Sequence, residues 1–188
     1  MYLIIGLGNP GEEYKHTRHN IGHEIVAGFA KKHDFGDFAF DKKANALVTQ
    51  GKLEKEKVVL ALPETFMNKS GDAVKKLATR YSLLATRLFV VHDDVDLPVG
   101  RMKLSFARNS AGHKGVESVI RALKTNEFYR VRIGIGTVKK TKDAMDVVLK
   151  KFTPKEEVEI KKVMKRAWVA LACAVTENPQ KAMTLYNA

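Results

Sequence analysis

Three polar clusters in this chain each stand directly after an apolar run, and together they hold the residue types of a hydrolytic site. Asn9 and His19 come after YLIIGL, Phe66 and Asn68 after VVLALP, and His92 and Asp93 after LFVV. An imidazole within reach of a carboxylate can act as a general base, because the carboxylate fixes the ring tautomer and stabilises the imidazolium that forms. Side-chain amides nearby can hold a water or an oxyanion without moving. A covalent serine mechanism has no support: there is no Gly-x-Ser-x-Gly elbow, and Ser70 and Ser110 stand in loops without one. Metal chemistry stays open on residue types alone, since His19, His23, His92, Asp93, Asp94 and Asp96 are all hard or borderline ligands. His19 and His23 have the spacing of a zinc helix, yet they enclose Asn20, Ile21 and Gly22 without its glutamate.

For these clusters to meet, the strands before them must lie side by side and parallel, so that their exits share one edge of a sheet. The sequence supplies such elements. Tyr2 to Leu7 is a buried strand, broken at once by Gly6, Gly8, Pro10 and Gly11. Ile21, Ile25, Val26, Phe29 and Ala30 fall at helical spacing and predict a helix to Lys32. Residues 44–51 and 57–62 read as a strand pair joined through LEKEK, and Pro63 ends the second. A loop, TFMNKSG, precedes a helix carrying Val74, Leu77, Ala78 and Tyr81; residues 88–91 form a further buried strand ending at His92.

Residues 101–106 alternate basic and apolar, as a half-exposed strand does. RNSAGHKG reads as a polar loop, Val116, Val119, Ile120 and Leu123 as a helix, and residues 131–136 as a strand. Thr153 and Glu156 form a capping box with Pro154 at the first helical position. The long apolar stripe from Ile160 to Val175 that follows places Trp168 in the core, and Asn178-Pro179 opens a last short helix. The expectation is a single α/β domain over residues 1–188: a twisted mixed β-sheet flanked by helices on both faces.

Gly6-x-Gly8-x-x-Gly11 matches the dinucleotide-binding pattern after a strand, but Gly11 leads into EEYKHTRHN with no apolar stripe. A pyrophosphate needs the third glycine in the first turn of a helix, and Glu12 and Glu13 would repel it. A nucleotide site is not expected here.

Charge points to the partner. The formal net charge is +12. Residues 1–94 carry 14 Lys and Arg against 12 Asp and Glu, whereas residues 95–188 carry 19 against 9. Within residues 97–142, eleven basic residues meet two acidic ones. A merely solvated surface mixes both signs, so a polyanion is expected to bind here, nucleic acid before membrane. The single Cys173 excludes an internal disulfide, the longest apolar run (residues 167–175) is too short to span a bilayer, and no signal peptide is apparent. These features favour the cytoplasm.

The segments GLGNPGEEYKHTRHNIG, TFMNKSG, VVHDDVDLPVG, AGHKGVESVI and RIGIG, in this order and spacing, closely resemble the bacterial peptidyl-tRNA hydrolases from the first strand to the last helix. That resemblance implies a monomeric hydrolase that cleaves the ester between a peptide and the 3′-terminal ribose of tRNA, with no cofactor, metal or obligatory protein partner. It implies that His19 is the general base, Asp93 its orienting carboxylate, and Asn9 a contact to the peptide. Tyr14, Phe66 and Asn68 would meet the tRNA 3′ end, with Asn68 also placed to hold the water or the oxyanion. Lys103 and Arg132 are candidates for tRNA phosphates on charge alone. Where the family usually reads Gly-His-Asn-Gly, this chain reads Gly112-His113-Lys114-Gly115, which puts a cation where an amide normally contributes to the substrate site. Two other readings fit parts of the pattern: a non-catalytic RNA-binding domain, and a metal-dependent phosphoesterase.

Overall fold

The run Tyr2–Gly6 is buried at every position and forms β1, the middle of the sheet. The computed structural model describes residues 1–136 and 145–187. After β1 come α1 (Ile21–Lys32), the short β2 (Ala39–Asp41), and β3 (Ala46–Leu53) paired antiparallel to β4 (Glu56–Pro63). Then follow α2 (Ser70–Arg80), β5 (Leu88–Pro98), β6 (Met102–Phe106), α3 (Lys114–Leu123) and β7 (Tyr129–Gly136). The chain closes with α4 (Met145–Val148), α5 (Pro154–Thr176) and α6 (Pro179–Tyr186). One seven-stranded sheet runs in the order β2-β3-β4-β1-β5-β7-β6.

The expected parallel exits exist: β1 is parallel to β4 and to β5, and β5 to β7. Between β1 and β4 the chain passes through α1, which packs with α5 and α6 on one face of the sheet. Between β4 and β5 it returns through α2, which packs with α3 on the other face. The connection thus changes face at β1, and a crevice opens at the carboxyl ends of the strands, where open α/β sheets hold ligands. Close packing lets α1 start there. A Cβ at Gly22 would lie 2.4 Å from the Val91 carbonyl oxygen and 2.5 Å from that of Leu7, so only glycine fits between β1 and β5. Likewise a Cβ at Gly71 would meet the Ser118 carbonyl oxygen at 2.1 Å, which sets how closely α2 approaches α3.

Gly11, at φ 109, leads into a single 3-10 turn at Glu12–Tyr14, and the helix begins only at Ile21, as the sequence implies. The Thr153–Glu156 capping box is present, and the side chain of Asn178 caps α6 by accepting from the Lys181 N–H. Trp168 packs against the core and donates its Nε1–H to the Ile25 carbonyl at 2.9 Å.

Three boundaries differ from expectation for physical reasons. β5 does not end at Val91 but carries His92, Asp93 and Asp94 within the strand, paired to Arg132, Ile133 and Gly134 of β7. α3 starts at Lys114, inside the stretch that reads as a loop, because His113 caps it. β2 is an edge strand that is mostly exposed, so it lacks the alternation a half-buried strand shows. Residues 137–142, the end of the basic stretch, lie outside the described residues. No helix among the described residues is long and apolar enough to cross a membrane.

Candidate active site

Asp93 sits in the body of β5, 1% exposed, at the floor of a cleft of about 410 Å³. His19 reaches it from a single 3-10 turn, Arg18–Asn20, that follows β1. Its Nδ1 lies 2.8 Å from Asp93 Oδ1. A second imidazole meets the same oxygen: His113 Nε2 lies 2.9 Å from Asp93 Oδ1. The His113 tautomer follows from its other nitrogen. The N–H groups of Gly115 and Val116 donate to Nδ1 at 3.1 and 3.3 Å, so Nδ1 holds the lone pair and Nε2 the proton. His113 therefore joins the N-terminus of α3 to the buried carboxylate.

Burial alone would raise the Asp93 pKa, but the imidazoles of His113 and His19 set against it outweigh burial and hold the carboxyl well below the usual range. Asp93 is thus a fixed anion. A His19 that donates Nδ1–H to it leaves Nε2 as an acceptor toward the cleft. Next to it, His92 donates from Nδ1 to the Asp93 carbonyl at 2.6 Å, and burial keeps its pKa well below the ordinary histidine value, with the neighbouring His113 acting in the same direction.

A lattice of amides holds the surrounding loops. Asn20 accepts the Asn9 N–H and donates to the Asn9 carbonyl, both at 2.9 Å, so its side chain grips the main chain of the β1 exit. Asn9 Oδ1 in turn accepts the Met67 N–H at 2.8 Å, tying the β1 exit to the β4 exit. That bond assigns Oδ1 to Met67 and leaves the Asn9 Nδ2 donor for the cleft. Tyr14 and Phe66 meet edge to face, 6.5 Å between centroids, and Phe66 is 57% exposed. Asn68 is exposed beside them, and Lys114, also exposed, lines the cleft as the first residue of α3.

Asn9, Tyr14, His19, Phe66, Asn68, Asp93 and Lys114 therefore share one cleft. Lys103 and Arg132 lie outside its lining. They face each other across β6 and β7, and Arg132 Nε pairs with Asp94 Oδ2 at 2.5 Å. Sequence reasoning did not single out His113 or Asn20 as site residues, nor Val148 and Leu149, which form part of the wall. His113 lies in the segment of residues 112–115; histidine is an uncommon helix cap, so its type gives no cue. The Asn20 bonds depend on a loop geometry that pattern does not reveal.

Of the six residues whose types suit a metal, His19 and Asp93 meet, and with His113 they form a triplet whose ligand atoms lie within 4.8 Å of one another. The donor set does not suit an ion as arranged. A neutral imidazole has one lone-pair nitrogen, and that of His113 is committed to the first turn of α3. Metal ligation by His113 would cost α3 its cap.

The family model described as peptidyl-tRNA hydrolase matches residues 3–188. Among curated relatives, a peptidyl-tRNA hydrolase from Dehalococcoides mccartyi is 42% identical over 191 residues, covering 100% of both chains. One from Aquifex aeolicus is 42% identical over 186 residues, covering 98% of this chain and 95% of its own. Among solved structures, peptidyl-tRNA hydrolase from Acinetobacter baumannii superposes with a TM-score of 0.94 at 31% identity, covering 100% of this chain and 95% of that one.

Proposed function

The chain belongs to the peptidyl-tRNA hydrolase family and hydrolyses peptidyl-tRNA, and from that premise we propose that His19 is the base of the reaction and Asp93 the carboxylate that orients it. The observation that supports this most is the 2.8 Å contact between His19 Nδ1 and Asp93 Oδ1 at the shared exit of parallel strands. A water in the cleft gives a proton to His19 Nε2 while its oxygen bonds to the ester carbonyl carbon. Charge gathers on the carbonyl oxygen, where Asn68 donates a hydrogen bond. The bond from carbon to the ribose oxygen then breaks, and His19 returns its proton to that oxygen. The products are a peptide with a free carboxylic acid, which loses its proton to solvent, and a tRNA with its terminal hydroxyl restored. Asp93 stabilises the transient imidazolium; at about 4 Å and an effective dielectric near 20, such a pair attracts by about 4 kcal/mol.

Asn9 Nδ2 serves the peptide side of the cleft. Tyr14 and Phe66 offer faces for the bases of the 3′ end, since stacking on aromatic rings is tolerant of base identity. Lys103 and Arg132 contact phosphates farther along the tRNA, and Lys114 one nearer the 3′ end. The working form proposed is a monomer, and the substrate together with the single cysteine supports a cytoplasmic setting.

The test is hydrolysis of N-blocked aminoacyl-tRNA by purified protein with and without chelator, beside His19→Ala. Full activity in chelator and a loss of ~10²-fold or more in His19→Ala are expected. Near-normal turnover by a folded His19→Ala protein removes His19 from the role.

A further inference from the structure

The residue beside His19 makes a buried contact that crosses most of the chain. Arg18 is 5% exposed. Its Nη2 donates to Glu156 Oε2 at 2.7 Å and its Nη1 to the Ile135 carbonyl at 3.2 Å, and its guanidinium lies over the Phe152 ring at 4.9 Å. Its main-chain N–H donates to the Lys150 carbonyl at 2.9 Å, and Thr17 bridges to Lys151. Glu156 is also the acid of the α5 capping box, where the same Oε2 accepts from the Thr153 N–H at 2.8 Å and its hydroxyl at 2.9 Å. One carboxylate thus ties the start of α5 to the turn that carries His19.

Such a pair adds little to stability, because taking both ions out of water offsets their attraction. What it fixes is geometry. A lone 3-10 turn has poor internal hydrogen bonding and does not hold a side chain by itself. On one side of His19, Asn20 grips Asn9; on the other, Arg18 grips Glu156 and the end of β7. Val148 and Leu149, in the cleft wall, immediately precede the residues bridged to Arg18 and Thr17. We infer that Arg18 is a positioning residue for hydrolysis: with Glu156 it sets His19 against Asp93 and holds the Val148–Leu149 wall at the same time.

The inference rests on His19 as the base, so the experiment separates the two. Arg18→Gln, Arg18→Lys, Glu156→Gln and the Arg18→Gln/Glu156→Gln double variant are assayed on a minimal substrate, a blocked amino acid esterified to a short 3′ tRNA fragment. Arg18→Gln is repeated in a His19→Ala background, and thermal unfolding confirms the folded state of each. Misplacing a reacting group by about 1 Å can cost ~10²-fold, so Arg18→Gln should lower kcat ~10-fold or more with KM little changed. Arg18→Lys should recover part of the loss, since an ammonium still reaches Glu156. The double variant should be no worse than Arg18→Gln, and Arg18→Gln should cost nothing further once His19 is absent. Wild-type kcat in folded Arg18→Gln overturns the inference, as does an undiminished loss in the His19→Ala background. If Arg18→Gln does not fold, Arg18→Lys and Glu156→Gln face the same criteria. A fully active His19→Ala protein overturns the base assignment instead.

Discussion

Two neighbouring regions handle charge in opposite ways. At Asp93 a single carboxylate, 1% exposed, receives two imidazoles on one oxygen, and each imidazole is held from behind by the turn or helix that carries it. On one side of β7 and β6, Arg130, Arg132 and Lys103 gather positive charge. The one carboxylate paired with them among the described residues is Asp94, on Arg132. Arg130 is 2% exposed with Nη1 unpartnered, and its pKa falls to about 10, chiefly through burial and then through the charge of Arg132. The first region pairs its charge internally; the second, among the described residues, carries an excess of positive charge. Chemistry needs one geometry, whereas holding a polyanion needs potential. The Asp93 centre should therefore answer to single substitutions and to pH, and the β6–β7 face to salt.

The largest effect falls on the centre. Asp93→Asn keeps an acceptor for both imidazoles but removes the charge that stabilises the imidazolium and can reverse the His19 tautomer. kcat should drop by about 10²–10⁴-fold on full-length and minimal substrates alike. His113→Asn keeps a good cap for α3 while removing the second donor to Asp93, and a smaller loss, ~10-fold, is expected. Steady-state kinetics on both substrates check this; a loss confined to full-length tRNA would mean that the centre serves binding.

Acid should act on the same side of the comparison. His23, packed behind Gly8, has its pKa lowered to about 4, chiefly by burial, against a weaker opposing hydrogen bond to Pro63. In the unfolded chain an ordinary histidine titrates near 6.5. Between those values the unfolded chain binds a proton that the folded one refuses, so stability falls as pH falls from about 6.5 to about 4, by roughly 3 kcal/mol at most. Above 6.5 this loss is absent, and below about 4 it is complete. His92, also held low by burial, adds in the same direction. Urea unfolding across this range should show the slope, and His23→Gln should flatten it; an unchanged slope in that variant would assign the effect elsewhere.

How far the sequence revealed these regions depends on the kind of signal each leaves. Buried strands and helix stripes write themselves as apolar periodicity, so β1, α1 and α5 are legible, and so is the Thr153–Glu156 cap. Parallel exits could be anticipated because polar clusters recur after apolar runs. The course of β5 through Asp93 could not, since a buried polar strand segment reads as a loop when hydropathy is the cue. His113 and Arg18 were missed because their partners are distant: Asp93 is 20 residues from His113, and Glu156 is 138 from Arg18. The roles of Asn9, Tyr14, Phe66 and Asn68 came from resemblance, and the structure brings those residues into one cleft.

The β6–β7 face should show the converse behaviour. Each phosphate contact removed should lower the slope of log affinity against log salt by a little under one. Lys103→Ala is the cleaner variant, because Arg132→Ala also leaves Asp94 without its cation. Binding of tRNA should weaken several-fold at low salt and converge with wild type as salt rises, with turnover of the minimal substrate unchanged. Equal losses on the minimal substrate would place these residues with the centre.

Lys114 lies between the two regimes and should give the smallest effect. It is a cation at the first position of α3, where the helix dipole disfavours positive charge by about 0.3–1 kcal/mol. Folding therefore gains nothing from it, and Lys114→Asn should leave stability equal or slightly raised. Its side chain lines the cleft that holds His19 and Asp93, yet it is exposed, so its charge acts across water. A lysine only donates and carries full charge, whereas the asparagine usual in the family both donates and accepts. If Lys114 meets a phosphate near the 3′ end, Lys114→Asn should raise KM for full-length substrate a few-fold, leave kcat within about two-fold, and reduce salt sensitivity by less than one phosphate contact. Unchanged KM and salt slope would mean that the side chain lies in solvent. A fall in kcat alone would place Lys114 in the transition state, and the division between a centre that responds to geometry and a face that responds to salt would then fail at this residue.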